Sequence, residues 1–406
     1  MRTTTRIPAP TGPRLLPVRR GAAGSAILLL AASLSVALGQ GPAAADAPPG
    51  CGTVLLTSVK LTEDLTCTGD GLVIGADNVT VDLNGHTVSG SGTGRGIGSS
   101  DSSAGTRWTG TTVRGGTIQG FAKGMSFFGA TDVKILNVTV SGGVIESDFN
   151  MSGKPSLSIS GSRSRCVLDR LDLRHSRATV NHCTIKGDAW INETNLTVTG
   201  SRFTGGNLSF RQTDGNVITG NVFDGAGINL GAECRDNTIR GNVFKNTGTA
   251  LYLGGSSKIN AVEDNTFKDN DIGIEAIHYH ETVTGNRFIR NRTAGMFLQG
   301  ALPVPGTISG NLFRRNGENP SGITDAAGNL VRGGIHIGWK GDPKPVTVAG
   351  NVGVRNSGWF IWAPHDSVLD GGGNQGGPCG PPPTSEPKPP GGPQPPPLPA
   401  SVTCTG

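Results

Sequence analysis

Aromatic residues are scarce in this 406-residue chain; they make up 5% of it, and tyrosine occurs only twice. A wide core built on large rings is therefore excluded, and a narrow interior filled mainly by aliphatic side chains is expected. Beyond residue 45 no apolar run approaches the roughly 20 residues that span a bilayer, which excludes a transmembrane helix from that part. No Cys-x-x-Cys pair or Cys/His spacing marks a zinc site. A lasting excess of one charge is also missing. The formal net charge is +5, from 35 basic and 30 acidic residues. Five of the basic residues, Arg2, Arg6, Arg14, Arg19 and Arg20, lie in the first 45 positions, which contain no Asp, Glu or Lys. Without them the charges balance, so steering toward nucleic acid is not expected.

Residues 1–45 read as an export leader: the basic stretch, the apolar run opening at Ala26-Ile27-Leu28-Leu29-Leu30-Ala31, then Ala43-Ala44-Ala45 before Asp46. A secreted, extracellular or cell-envelope location follows as the expectation, and seven cysteines suit an oxidising compartment. Cys51 and Cys67 bracket the first segment, and Cys379 and Cys404 bracket the last. Cys166 and Cys183 lie near one repeat apart, which leaves Cys234 over.

What is abundant is glycine, at 65 residues, and a repeated beat. Gly220-Asn221-Val222-Phe223 returns as Gly241-Asn242-Val243-Phe244, Asp264-Asn265-Thr266-Phe267, Gly285-Asn286-Arg287-Phe288, Gly310-Asn311-Leu312-Phe313 and Gly350-Asn351-Val352-Gly353. The asparagines are 21, 23, 21, 25 and 40 residues apart. A period just above twenty with short β-rich segments marks a solenoid in which each repeat is one coil. A second strand follows each beat: Gly227-Ile228-Asn229-Leu230, Ala250-Leu251-Tyr252-Leu253, Gly273-Ile274-Glu275-Ala276, Gly295-Met296-Phe297-Leu298 and Gly334-Ile335-His336-Ile337. Alternate side chains point to opposite faces. The second and fourth positions therefore face the core, and Asn229, Tyr252, Glu275, Phe297, His336 and, less regularly, Ile361 face out. The repeated Phe side chains are expected to stack inside. The repeated Asn residues are expected to stack at a bend, bonding the backbone of their own turn and tolerating left-handed geometry, as scaffold rather than site.

The division expected is a leader at 1–45, a single right-handed parallel β-helix domain at 46–376 with an N-terminal cap, and a Pro-rich tail at 377–406. The tail carries Pro381-Pro382-Pro383 and Pro395-Pro396-Pro397, an extended segment without a core. Over residues 51–375 the chain resembles the secreted parallel β-helix proteins of the pectate-lyase-like superfamily. The likeness rests on the Gly-Asn-x-Phe beat and on Val79-Thr80-Val81-Asp82-Leu83-Asn84-Gly85-His86-Thr87-Val88. That superfamily holds pectate and alginate lyases, epimerases, galacturonidases and copper-site maturation proteins, so the resemblance implies the fold and leaves the activity open. Ala363-Pro364-His365-Asp366 further resembles the Asp-Pro-His-Asp motif of alginate C5-epimerases, in which the His takes part in proton abstraction. Ala363 stands where that motif has its leading Asp.

Stacked coils would align the outward residues, with Glu275 and His336 two coils apart and Phe297 between them. Tyr279, Lys340 and His365 are expected along one edge, with His278 and His280 beside them and the long turn Asn316–Arg332 as a wall. Lyase or epimerase chemistry on a uronic acid would use His336, Lys340, Tyr279 or His365 as base or acid near working pH. Glu275 completes that set, and Tyr252 is a second candidate acid. Asn229, Tyr252, Phe297, His278 and His280 are the expected substrate-binding residues, Tyr252 beside Asn229 as a sugar platform. Glu275 has no outward acidic neighbour in this register, which argues against a hydrolase with paired carboxylates. The alternative is a non-catalytic carbohydrate-binding or structural β-helix of the cell envelope. The partner expected is polysaccharide, the chain is expected to be a monomer, and no cofactor is evident, with Ca2+ left open. Copper-site maturation ranks third, since no Met/His/Cys cluster suited to copper is visible.

Overall fold

The computed structural model describes residues 48–99, 107–148, 156–255, 257, 259–277, 281–300, 306–338, 346–364, 366–380, 384–385, 397–398 and 401–406. No helix occurs among them, and 38 strands join in one parallel sheet wound as a right-handed β-helix. It opens at Val54–Leu55, which pairs with Leu72–Ile74. Each regular coil has three short strands rather than the two legible in the repeat. In one coil these are Val217–Thr219, Val222–Asp224 and Ile228–Leu230. They pair with Thr238–Arg240, Val243–Lys245 and Thr249–Leu253 of the next. The first strand escapes sequence reading because it sends only one side chain inward, Ile218 or Ile239, too little to show a period of two.

The interior is a column of rings. Phe203, Phe223, Phe244, Phe267, Phe288 and Phe313 stack with centroids 4.6–4.9 Å apart and planes within 4–10° of parallel. The spacing equals the distance between hydrogen-bonded strands, so each ring lies flat on the next without tilting the coils. Gly353 takes the next Phe position, level with Phe313. A Cβ there would lie 2.3 Å from the ring of Phe360, which fills the vacated space from the bend just before Ile361–Trp362.

Buried amides hold the three corners. At the first, Asn221, Asn242, Asn265, Asn286, Asn311, Asn351 and Asn374 form a continuous ladder. The backbone N–H and the Nδ2 of each donate to Oδ1 of the next, as from Asn221 to Asn242 at 2.9 and 3.0 Å. The ladder ends with Asn351 donating to Asn374 at 3.1 and 3.0 Å. A second ladder runs Asn270, Asn291, Asn316, Asn356, and a third Asn216, Asn237, Asn260. The scaffold role of these residues is as expected, but their bonds cross between coils instead of closing their own turn. Left-handed backbone falls one residue earlier, at Gly220, Gly241, Asp264, Gly285, Gly310 and Gly350. The reason is burial: an amide of the first ladder, at most 1% exposed, must satisfy both its groups, and only the adjacent coils offer enough partners.

Disulfides join Cys51–Cys67, Cys166–Cys183 and Cys379–Cys404, and Cys234 is free and buried, its thiol pushed up by burial. The chain end returns to the last coil, where Thr405 bridges Gln375 and Thr403 donates to Asp370.

The third ladder ends on a carboxyl group. Asn260 N–H donates to Oε2 of Glu281, which is fully buried. Burial raises its pKa from 4.5 to about 7, against the opposing hydrogen bonds of Asn260 and Ser257. The folded chain thus holds a proton that the unfolded chain releases, and stability falls as pH rises from 4.5 to about 7. Glu281→Gln keeps the acceptor without the charge. It is expected to flatten this slope and stabilise the protein by about 3 kcal/mol above pH 7, measured by denaturant unfolding across pH. Phe267→Ala, in mid-column, should cost about 3–5 kcal/mol in the same measurement.

Candidate functional site

The outward residues do align. Asn229 pairs with Tyr252, Tyr252 with Glu275, Glu275 with Phe297, Phe297 with His336, and His336 with Trp362. The last member corrects the sequence reading, because Ile361 pairs with Ile335 and faces the core. The strand Ile361–Trp362 is only two residues long, too short to display the alternation that fixes the register of the earlier coils. The column continues the other way through Ser209, Trp190, Asp172, Glu146 and Ser126.

Being outward does not leave every member in solvent. The turn between Asn316 and Gly333 folds back over the sheet, and its Ile323 and Val331 pack on Ile272, Ala294 and Phe297. Phe297 is 4% exposed and His336 1%, so both sit outside the coil wall yet beneath this turn. Asp325 fastens it. Its Oδ2 accepts from His336 Nε2 at 3.0 Å, while Oδ1 accepts from the backbone N–H of Ala327 and Asn329. Because a carboxylate only accepts, Nε2 carries the proton. Burial pushes His336 below the usual histidine range, opposed by Asp325. Burial would raise Asp325, but bonds from His336 and Asn329 outweigh it and hold the carboxyl low. The pair is therefore a neutral imidazole donating to a carboxylate. Phe297 meets the imidazole edge-on and Trp362 stacks on it at 5.7 Å.

Two clefts open along the column. One, of about 510 Å³, is lined by Asn207, Asn229, Thr247, Thr249 and Tyr252. Asn229 Oδ1 is buried there and accepts no hydrogen bond. The other, of about 270 Å³, lies between Glu275, Phe297 and Gln299 on the sheet and residues 323–326 of the turn. Glu275 separates the two, accepting from Thr249 Oγ1 at 2.9 Å and from Gln299 Nε2 at 2.7 Å. Burial and the Glu275 charge raise Tyr252 above the usual phenol range, which keeps its proton on. A larger depression of about 670 Å³ lies on the N-terminal half, around Asp82, Arg114, Asn137 and Arg165. Its floor includes Gly115 and Gly116, and Arg114 is paired to Asp82 at 2.9 Å, so it offers little to a reacting group.

Of the expected residues, the structure brings together Asn229, Tyr252, Glu275, Phe297 and His336. Lys340, Tyr279, His365, His278 and His280 lie outside the described residues. Sequence reasoning missed Asp325, which adds a second carboxylate to the Glu275 cleft from outside the strand register. Only the Asp325–Asn329 turn pattern could have signalled it. Asp325→Ala should strand the buried His336 N–H, cost about 1–3 kcal/mol and increase amide exchange across residues 317–331.

A family model described as NosD, periplasmic copper-binding protein, matches residues 147–329, just under half of the chain. No curated protein matches. Among solved structures, a double mutant of the periplasmic alginate epimerase AlgG is 14% identical with a TM-score of 0.36, covering 76% of this chain and 74% of that one. A mannuronic acid specific polysaccharide family 6 lyase from human gut microbiota is 12% identical, TM-score 0.39, over 76% and 81%. The A-module of the Azotobacter vinelandii mannuronan C-5 epimerase AlgE6 is 12% identical, TM-score 0.36, over 81% and 92%. At such identities these likenesses carry no argument about activity.

Proposed function

We propose that this pectate-lyase-like parallel β-helix is a polysaccharide-active protein of an extracytoplasmic compartment. Its substrate class is uronic-acid polymers, and its reaction is β-elimination or C5 epimerisation. The observation that carries the reading is the column Asn229–Tyr252–Glu275–Phe297, with a cleft on either side of Glu275. Phenol, amide and carboxylate follow one another at strand spacing, the kind of surface on which sugar rings stack and hydrogen-bond. Three disulfides suit the oxidising compartment.

In an elimination the C5 proton passes to a base, the C5–H electron pair forms the C4–C5 double bond, and the C4–O bond breaks with its oxygen taking a proton. In an epimerisation the C5 proton is instead returned on the opposite face. Tyr279 is the proposed acid; Tyr252, held protonated, lies three strand steps, about 14 Å, from His336 and serves the adjoining cleft as a sugar platform. His336 is the proposed base, kept neutral by burial. Its ring is sealed by the Asp325 turn, so substrate entry requires that turn to lift. Lys340, Tyr279 and His365 are proposed for the same edge, with His278 and His280 as binding residues. The Gln299 amide is proposed to hold the sugar carboxylate in the Glu275 cleft as charge develops, and Asn229 to bind the sugar in the Tyr252 cleft.

A second reading, a non-catalytic glycan-binding β-helix, is favoured by one observation: His336 is 1% exposed and already committed to Asp325. Among the described residues no group of three or more His, Cys, Asp or Glu side chains gathers as metal ligands. The test is ultraviolet absorbance of unsaturated uronate, with pectins, alginates and glycosaminoglycans, with and without calcium, and NMR of the epimer ratio alongside. Turnover that drops about 100-fold or more in His336→Ala, with a raised KM in Tyr252→Phe, is the expected result. Glycan binding with neither signal would establish the second reading instead.

A further inference from the structure

Four coils before Glu275, the same outward column carries Trp190, reached through Tyr252, Asn229 and Ser209. Its neighbours along the strand, Ala189 and Ile191, face the core, so the indole is turned fully outward and is 59% exposed. Among the described residues it is the one aromatic side chain counted with the exposed large hydrophobics. A lone exposed ring is common on protein surfaces; what singles out this indole is its place on the same outward column as the two clefts.

The surroundings say what chemistry covers it. Asp172, one coil back, is held by Arg174 through two bonds of 2.9 and 2.7 Å. Glu146, two coils back, accepts from Ser126 at 2.7 Å and pairs with Lys123 at 2.7 Å. Both carboxylates are therefore neutralised locally and do not repel an anion strongly. In the adjacent outward column, Asn192 stands level with Arg174 and Arg211. Arg211 is exposed and makes no ion pair among the described residues. A flat ring therefore lies diagonally beside a free guanidinium, with hydroxyl and amide groups of Ser209 and Asn192 around them. The C–H face of a pyranose fits the indole, and its carboxylate fits the guanidinium fork.

Resting on the uronate-polymer reading above, we propose that Trp190 and Arg211 form a remote acidic-sugar subsite, which makes the protein selective for chain length. Four strand steps of about 4.8 Å separate Trp190 from Glu275, a span of about 19 Å. Only an oligomer long enough to lie along that span engages both ends. Shorter oligomers occupy the Tyr252–Glu275 clefts alone. The second contact then adds to the first with no new molecule to capture, so affinity rises steeply at the spanning length.

The experiment is calorimetric binding of uronate oligosaccharides from pectin and alginate, disaccharide to octasaccharide, to the full chain. Wild type is expected to show a step in affinity once the oligomer spans both ends. Trp190→Ala should remove the step, binding octasaccharide about tenfold more weakly while leaving the disaccharide unchanged. Trp190→Phe should restore part of it, and Arg211→Ala should weaken acidic octasaccharides but not neutral ones of equal length. Trp190 is exposed, so an unchanged Tm accompanies these effects. If wild type binds but Trp190→Ala matches it at every length, the subsite is overturned and the uronate reading stands. If wild type binds no uronate oligomer of any length, both are overturned.

Discussion

The constraint on which the structure depends is the register between coils, held by buried amides that can be satisfied in only one alignment. In the first ladder each Oδ1 from Asn242 onward takes two hydrogen bonds from the coil before it, and each Nδ2 also reaches a carbonyl of the preceding coil, as Asn221 does to Val198. A slip of one residue would leave buried amides unpaired and turn every strand's apolar set outward. The stacked phenylalanines reward the same alignment without enforcing it, since a ring column tolerates some sliding. Hydrogen bonds supply the specificity, and the rings supply much of the burial.

The outward column inherits that precision. The line of side chains does not depend on loops, although Glu275 and His336 also have partners of their own. Asn229, Tyr252, Glu275, Phe297 and His336 are brought into line because the amide ladders behind them fix each strand. The rise per coil is set by backbone hydrogen bonding, so the surface presents groups at a constant interval along the solenoid axis. A polymer laid along it meets the same spacing repeatedly. That is a physical reason for an extended ligand to suit this face better than a compact one.

The repeat breaks beside the Glu275 cleft. The 40-residue step between Asn311 and Asn351 holds the turn that covers His336, and it also places Gly353 in the Phe position. Glu281 replaces an amide at the end of the third ladder, one coil-corner from the cleft at Glu275. Each departure carries a cost: a buried proton-dependent acid, a hole filled from elsewhere by Phe360, a polar pair sealed under apolar residues. Local exceptions to an otherwise consistent pattern are the places where function is expected to reside.

Much of this was legible in the sequence. The Gly-Asn-x-Phe beat determined the solenoid, its coil length, the Phe column and the scaffold role of Asn221 to Asn351, because strict period and alternation survive in one dimension. Proximity of cysteines likewise pointed to the pairs Cys51–Cys67 and Cys379–Cys404, whereas which of Cys166, Cys183 and Cys234 pair was left to the structure, which joins Cys166 to Cys183. The line of outward residues from Asn229 to His336 followed from alternation alone. Only the tertiary structure decided which of them meet solvent. His336 and Phe297 are outward by register and buried in fact, since Ile323 and Val331 return from a turn with no period to announce it. The pairing of His336 with Asp325, the inter-coil direction of the amide bonds and the alignment of Trp362 rather than Ile361 also depended on it. Periodicity fixes the direction in which a side chain leaves the backbone; what it meets there depends on segments folded from elsewhere.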